Sequence, residues 1–321
     1  MNSSPKVSVV IPLFNKGPHI ERAINSILAQ SVQDFEIIVV DDYSSDRGPA
    51  IVKNYHDPRI SFIEQDHRGV SFTRNHGVDH AKSDFIAFLD ADDEWLPNHL
   101  EILFKLKDRF PDAGVYTSAY QKKLKSGNLV YPDYRAIPKA PFEGLLPNYF
   151  ESAALGEPPL ATSVVGIIKE LFIETGGFPI GESRGEDLDL WAKIALKYPI
   201  AFSSDIGAIY HEEATNRACD SYHSIEEQPF VKNGKKAIAD GIVPEKFLPY
   251  FKEYIARKEI EDAIFNYLAG DYPLARKILA RTETHYFWRE KCIWSVITRL
   301  PRPIYDRIIR VKNIITLGLP G

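Results

Sequence analysis

Residues 7–46 read VSVVIPLFNKGPHIERAINSILAQSVQDFEIIVVDDYSSD, and the order of patterns within them decides the fold. Residues 7–11 and 36–40 are short, apolar, β-branched runs of the kind that a parallel sheet buries on both faces. Between them Ile20, Ala23, Ile24, Ile27 and Leu28 recur at the spacing of one helix face, and Pro18 suits a first helical turn. Strand, helix, strand in that order implies parallel strands joined by a right-handed crossover. Similar runs at 60–63 and 85–89 continue the alternation, a further strand is expected at 113–118, and order is expected to resume with TSVVGII at 162–168. The expected class is α/β, a mostly parallel sheet flanked by helices.

Open sheets of this kind bind ligands beyond the carboxyl ends of their strands. The segments that leave the first, second and fourth strands are PLFNKG, DDYSSD and DADDEW, all polar, and all should meet at one edge. The third is the most telling. FIAFLDADDEW, residues 85–95, passes from five apolar residues into four carboxylates within five positions. Like charges this close resist desolvation and repel one another, and a bound divalent cation would remove that cost. Gly-x-Gly-x-x-Gly is absent, which argues against a dinucleotide oxidoreductase.

The 321 residues, 44% of them hydrophobic, suffice for one large α/β domain and a smaller appendage. A formal net charge of -5 argues against nucleic-acid binding. Cys219 and Cys292 stand far apart, with neither a disulfide framework nor a zinc pattern. The opening MNSSPKVSVVIPLFNKG has too short an apolar run for a signal peptide, and no run approaches the ~18–20 apolar residues of a membrane span. A cytoplasmic location is expected. The C-terminal stretch is the exception in charge: Arg289, Lys291, Arg299, Arg302, Arg307, Arg310 and Lys312 face only Glu290 and Asp306. They interleave with Trp288, Trp294, Ile304, Tyr305, Ile308, Ile309 and Ile314, a pattern suited to the anionic inner face of a membrane or to packing on protein.

Beyond residue 118 a Pro- and Tyr-rich stretch through Pro159 shows little periodicity and reads as a long loop, and helical patterns dominate after Tyr222. The expected organisation is one α/β domain over 1–220, with a division near 118–119. A helical region with a basic amphipathic tail follows at 221–321.

VSVVIPLFNKGPHIERAINSILAQSVQDFEIIVVDDYSSD, followed in order by GVSFTRNHGVDHAKSDFIAFLDADDEWLPNHL, resembles the inverting, nucleotide-sugar-dependent glycosyltransferases of family 2, with their GT-A, Rossmann-like fold. The resemblance spans roughly residues 6 to 215 and rests on several motifs at family-like spacing. It implies a nucleoside diphosphate sugar donor, a UDP-sugar by expectation, and a glycan or lipid-linked acceptor in bacterial surface polysaccharide synthesis. A divalent metal, Mn²⁺ or Mg²⁺, is implied as cofactor.

On this sequence the resemblance assigns donor binding to Pro12, Phe14 and Asn15 at the first strand's exit. It gives Asp42 of DDYSSD to the uracil ring, where an ionised carboxylate can accept from an N–H. Tyr43 replaces the family's commoner glycine. Arg74 of TRNHG matches an Arg whose planar guanidinium can fork onto base or phosphate oxygens. Asp90 and Ala91 of the Asp-x-Asp turn lie toward the ribose, and Asp92 toward the metal. Asp93 stays open between the acidic turn and a cap for the helix beginning near Pro97.

Glu186 and Asp187 match the family's Glu-Asp motif, with Asp187 as the catalytic base at a helix start where the macrodipole favours its ionised form. His211 in IYHEEATN matches a metal or diphosphate ligand less closely, since Thr215 and Asn216 replace the family's two serines. One base without a second nucleophilic carboxylate suits single displacement. The alternatives are a haloacid dehalogenase-type phosphatase with Asp90 as nucleophile and a non-catalytic GT-A-like binding protein. A homo-oligomer is left open.

Overall fold

The structure is a computed structural model that describes residues 4–182, 184–217 and 222–300. The chain divides after Arg217 into two compact units. In the first, β1 (Val7–Leu13), α1 (Ile20–Leu28), β2 (Phe35–Asp41), α2 (Gly48–Lys53), β3 (Ile60–Glu64), α3 (Val70–His80) and β4 (Phe85–Phe88) alternate as the sequence pattern requires. α1 buries Ile20, Ala23, Ile24 and Ile27, the expected stripe, each isoleucine being worth roughly 1.5–3 kcal/mol on burial. α3 approaches β1 so closely that a Cβ at Gly77 would stand 2.4 Å from Val10 Cγ1.

β1 pairs in parallel with β2 on one side and with β4 on the other, and β3 lies beyond β2. The strand order reverses at β1, so the crevice between β1 and β4 is the topological switch point, the usual seat of a ligand. Pro12 helps to open it. Pairing of β1 with β4 stops at Val10 and Phe88, and the Leu89 N–H then donates to the Val10 carbonyl. Pro12, two residues on, faces the same side, where its missing N–H leaves no ladder bond unmade.

The remaining elements are β5 (Glu94–Trp95), α4 (His99–Arg109), β6 (Val115–Lys123), β7 (Leu129–Val130), β8 (Glu143–Leu145), α5 (Tyr149–Leu155), β9 (Val165–Ile168), α6 (Lys169–Glu174), α7 (Glu186–Lys197) and β10 (Ile200–His211). The sheet order is β3-β2-β1-β4-β9-β6-β10-β5, with β7 on β6 and β8 on β10. It is parallel from β3 to β4. Beyond β4 it is mixed, because β9 runs antiparallel between β4 and β6.

The stretch read as a long loop is more ordered than expected. β6 runs on to Lys123, and β7, β8 and α5 lie within it. The two strands are too short to show an alternating pattern. α5 did have a sequence signal: Asn148 caps it, accepting from the N–H groups of Phe150 and Glu151, and Glu151 stands three residues on as in a capping box.

The second unit contains α8 (Pro229–Ala239), α9 (Leu248–Ala269), α10 (Tyr272–Arg281) and α11 (Trp288–Ile297). Ile260, Ala263, Tyr267, Ala275, Ile278 and Leu279 form its α9–α10 core. The turn between those helices uses Gly270 at φ 90°, and Asp271 caps α10 by accepting from the Leu274 N–H. Trp288, Ile293 and Val296 of α11 are exposed. Arg302, Arg307, Arg310, Lys312 and the apolar residues among them lie outside the described residues. No helix among the described residues is long and apolar enough to cross a membrane.

Candidate active site

Side-chain bonds draw the loops after β1, β2 and β4 together. The Asn15 N–H donates to Ser44 Oγ at 2.9 Å, the Ser45 N–H to Asn15 Oδ1 at 2.8 Å, and the Gly17 N–H to Asp46 Oδ2 at 2.7 Å. Lys16 Nζ reaches the third loop and lies 2.5 Å from Asp92 Oδ2. Asn15 can serve both directions because it sits at φ 53°, in the left-handed region.

Asp42 is buried and fully engaged. Gln65 Nε2 and the Arg68 N–H donate to its Oδ1 at 2.9 and 2.7 Å, and the Gly69 N–H donates to Oδ2 at 2.9 Å. His67 Nδ1 is 2.8 Å from Oδ2, and the His67 ring stacks on Phe14 with centroids 4.6 Å apart. The His67 side chain is exposed, with 55% of it open to solvent. Tyr43, next in sequence, is also exposed and holds φ 67°, the conformation in which a glycine would be unstrained. Asp41 instead serves the turn, accepting from the Ser44 N–H.

The acidic turn after β4 divides its labour. Asp90 accepts from Arg74 Nη2 at 2.7 Å, and Asp92 faces Lys16. Asp93 neither caps a helix nor meets solvent. It is buried, with Ser163 Oγ donating to Oδ2 at 2.5 Å and the His211 N–H to Oδ1 at 3.0 Å. Burial, reinforced by Asp92 and Asp90, holds its carboxyl well above the usual range. The cap position before α4 is Asn98.

Arg74 is buried on α3 and spans two parts of the chain. Besides Asp90 it reaches Glu186 Oε1 through Nη1 at 2.9 Å, and its guanidinium lies 5.1 Å from the Phe178 ring centroid. Burial alone would lower its pKa, but Asp90, Glu186 and Asp187 outweigh it and raise the group. Glu186 and Asp187 begin α7 after Gly185, which occupies the cap position at φ 72°. Asp187 is therefore not the cap, and among the described residues its Oδ1 accepts only from the adjacent Leu188 N–H. Burial and the Glu186 charge, opposed by Arg74, push its carboxyl up to about 6.

His211 ends β10 with its ring buried. Nδ1 is 2.8 Å from Glu213 Oε1, while Nε2 lies 3.4 Å from Glu94 Oε1. Asp92, Lys16, Arg22 and His211 all act electrostatically on His19, which places them in one neighbourhood. No group of three or more His, Cys, Asp or Glu among the described residues is arranged to hold a metal. Asp92, a carboxylate paired with Lys16, and the imidazole of His211 are nevertheless donors of the kinds that Mg²⁺ or Mn²⁺ accept, ions that keep several waters and share substrate phosphates. The positions read from the sequence therefore fall in two adjoining clusters, Asp42 with Phe14 and Asn15, and Asp90, Asp92, Arg74, Glu186 and Asp187. Lys16, Gln65, His67 and Ser163 were missed, since each is an ordinary polar residue until the loops bring it to a carboxylate.

A sequence profile described as Glycosyl transferase family 2 matches residues 8–157. An uncharacterized glycosyltransferase of Rickettsia prowazekii (strain Madrid E) is 30% identical over 233 residues, covering 70% of each chain. The chain belongs to glycosyltransferase family 2.

Family 2 relatives include enzymes of bacterial glycan assembly. The GalNAc(5)-diNAcBac-PP-undecaprenol beta-1,3-glucosyltransferase of Campylobacter jejuni is 43% identical over 105 residues, 32% of this glycosyltransferase and 34% of that one. The fold is shared with TarS of S. aureus in complex with UDP-GlcNAc, at a TM-score of 0.61 and 18% identity, covering 91% of this chain and 90% of that one. It is shared also with the mannosyltransferase PcManGT of Pyrobaculum calidifontis in complex with GDP-Man and Mn²⁺, at 0.58 and 19%, covering 93% and 85%. The sheet flanked by helices is thus that of the GT-A glycosyltransferases.

Proposed function

We propose that this family 2 glycosyltransferase moves a sugar, with inversion, from a nucleoside diphosphate sugar to a hydroxyl of a glycan or lipid-linked acceptor in bacterial surface polysaccharide synthesis. The observation that carries the reading is the Arg74 bridge, which ties Asp90 of the acidic turn to Glu186, the neighbour of Asp187. It brings the donor turn and the start of α7 to one guanidinium. A carboxyl held near 6 suits a general base at neutral pH, where it is ionised yet still basic enough to take the acceptor's proton.

Residues 1–118 would hold the donor and 119–220 the acceptor, with the helical region at 221–321. Asp42, Phe14, Asn15 and Pro12 would seat the nucleoside, uridine by preference, and the base N–H would take the place of the exposed His67 at Asp42. Asp90 and Ala91 would lie along the ribose. Asp92 and His211 Nε2 would hold Mn²⁺ or Mg²⁺, which supplies charge neutralisation of the leaving diphosphate. PcManGT, with Mn²⁺ beside its sugar nucleotide, supports a divalent ion here, and TarS supports a UDP-sugar.

The phosphatase alternative needs Asp90 free as a nucleophile, whereas Asp90 is paired with Arg74. A panel of sugar nucleotides assayed for nucleoside diphosphate release tests the activity, and the anomeric configuration of the product tests inversion. Release from no donor, with donor binding intact, would favour the non-catalytic alternative.

A cytoplasmic enzyme whose basic C-terminus meets the anionic inner face of the membrane completes the proposal, since a lipid-linked acceptor would be met there. The exposed Trp288, Ile293 and Val296 support that contact. Flotation with anionic and neutral vesicles tests it; equal binding to both would refute it.

A further inference from the structure

Two bonds join the chain leaving β1 to the chain leaving β2. The Asp42 N–H donates to the Leu13 carbonyl at 2.8 Å, and the Asn15 N–H donates to Ser44 Oγ at 2.9 Å. They bracket one residue on each side, Phe14 between Leu13 and Asn15, and Tyr43 between Asp42 and Ser44. The bonding therefore sets these two aromatic residues opposite each other at the sheet edge, beside the buried Asp42.

Neither ring is covered by the other. Phe14 is 43% exposed and Tyr43 69% exposed. Phe14 stacks on His67, and among the described residues Tyr43 makes no ring contact, side-chain hydrogen bond or ion pair. An exposed tyrosine in ordinary backbone would need no explanation. This one is held at φ 67°, which a bulky side chain adopts only at a cost, and no contact of its side chain offsets that cost. Strain of this kind is commonly kept where a side chain serves a ligand.

The ligand chemistry follows from the neighbour. A ring N–H that donates to the Asp42 carboxylate lies in the plane of its ring, so both faces of that ring stay open to aromatic contact. We propose that Tyr43 is a nucleoside-contacting residue whose ring, with that of Phe14, packs on the base that Asp42 reads. The inference rests on the proposed nucleoside site at Asp42 and adds to it a residue that no part of that reading assigns. Such a contact lies away from the bond that breaks, so it strengthens substrate and transition state alike and acts on KM, not on kcat.

The test compares the parent with Tyr43→Phe, Tyr43→Gly and Tyr43→Asn. Glycine and asparagine both tolerate the left-handed backbone, so the loop keeps its shape when the ring is lost. UDP and GDP are titrated by calorimetry, and the tighter of the two serves for the comparison; kcat and KM are read with the matching sugar nucleotide. Tyr43→Phe should bind within about twofold of the parent, while Tyr43→Gly and Tyr43→Asn should bind about tenfold more weakly, the scale of one base–aromatic stack, with KM raised and kcat unchanged. Binding by Tyr43→Gly and Tyr43→Asn equal to the parent's would overturn the proposal. So would a Tyr43→Phe as weak as Tyr43→Gly, which would assign the contact to the hydroxyl, and so would a fall in kcat with nucleotide affinity unchanged, which would make Tyr43 a shaper of the loop. A parent that binds neither UDP nor GDP would instead overturn the nucleoside reading of Asp42 itself.

Discussion

Arg74 on α3 donates to Glu186 on α7 at 2.9 Å across 112 residues of sequence, and the same guanidinium holds Asp90 at 2.7 Å. The stretches before and after residue 118 thus share a buried cation.

Arg74→Met should destabilise the protein by about 2–4 kcal/mol, because it leaves Glu186 and Asp90 facing each other without compensation. Arg74→Lys keeps the charge but cannot fork to both carboxylates, so it should fall between. Urea unfolding reads the loss. A stability equal to the parent's for Arg74→Met would show that the bridge positions the site without stabilising it.

Chelation by EDTA should abolish turnover, and Mn²⁺ or Mg²⁺ should restore it. Asp92→Ala should lose activity in either metal while unfolding normally, since Asp92 is part-exposed and its removal also relieves repulsion in the acidic turn. Full activity of Asp92→Ala in EDTA would exclude a metal at this carboxylate.

Tyr43 holds a left-handed backbone that costs a non-glycine residue roughly 1 kcal/mol. Tyr43→Gly should therefore unfold within about 0.5 kcal/mol of the parent, strain relief offsetting glycine's extra entropy, while Tyr43→Val should cost 1 kcal/mol or more. Thermal denaturation of the two variants decides. If Tyr43→Val is as stable as the parent, the turn is not strained.

The parallel half of the fold was legible because its strands are continuous apolar runs and α1 carries a clean stripe. The direction of β9 was not, since an apolar run at 162–168 reads alike in either sense, and its antiparallel place depends on β4 and β6. Asp90, Asp92 and Arg74 could be found by motif. That Asp93 is structural could not, because Ser163 and the His211 amide reach it from 70 and 118 residues away. Lys16 gave no signal either, one lysine in a polar loop being a solvated cation until the fold sets it against Asp92.

In the proposed function Asp187 joins stability to activity through pH. Burial and Glu186 raise its carboxyl from an ordinary value of ~3.9 to about 6. Between about pH 4 and 6 the folded protein keeps a proton that the unfolded chain has lost, so this group's contribution to stability falls as pH rises through that window and is level above it. Asp187→Asn removes the titration. The variant should unfold at a higher temperature than the parent at pH 7.5 and at the same temperature below pH 4. Transfer should show the opposite trend. The parent rate should fall about tenfold per pH unit below 6, as the base becomes protonated, and Asp187→Asn should lose about 10²-fold or more at pH 7.5 while still binding donor. Paired melting curves and pH–rate profiles read both arms. A variant that transfers sugar at the parental rate would remove Asp187 as the base, and one that melts lower than the parent at pH 7.5 would show that its pairing with Arg74 outweighs the burial of its charge.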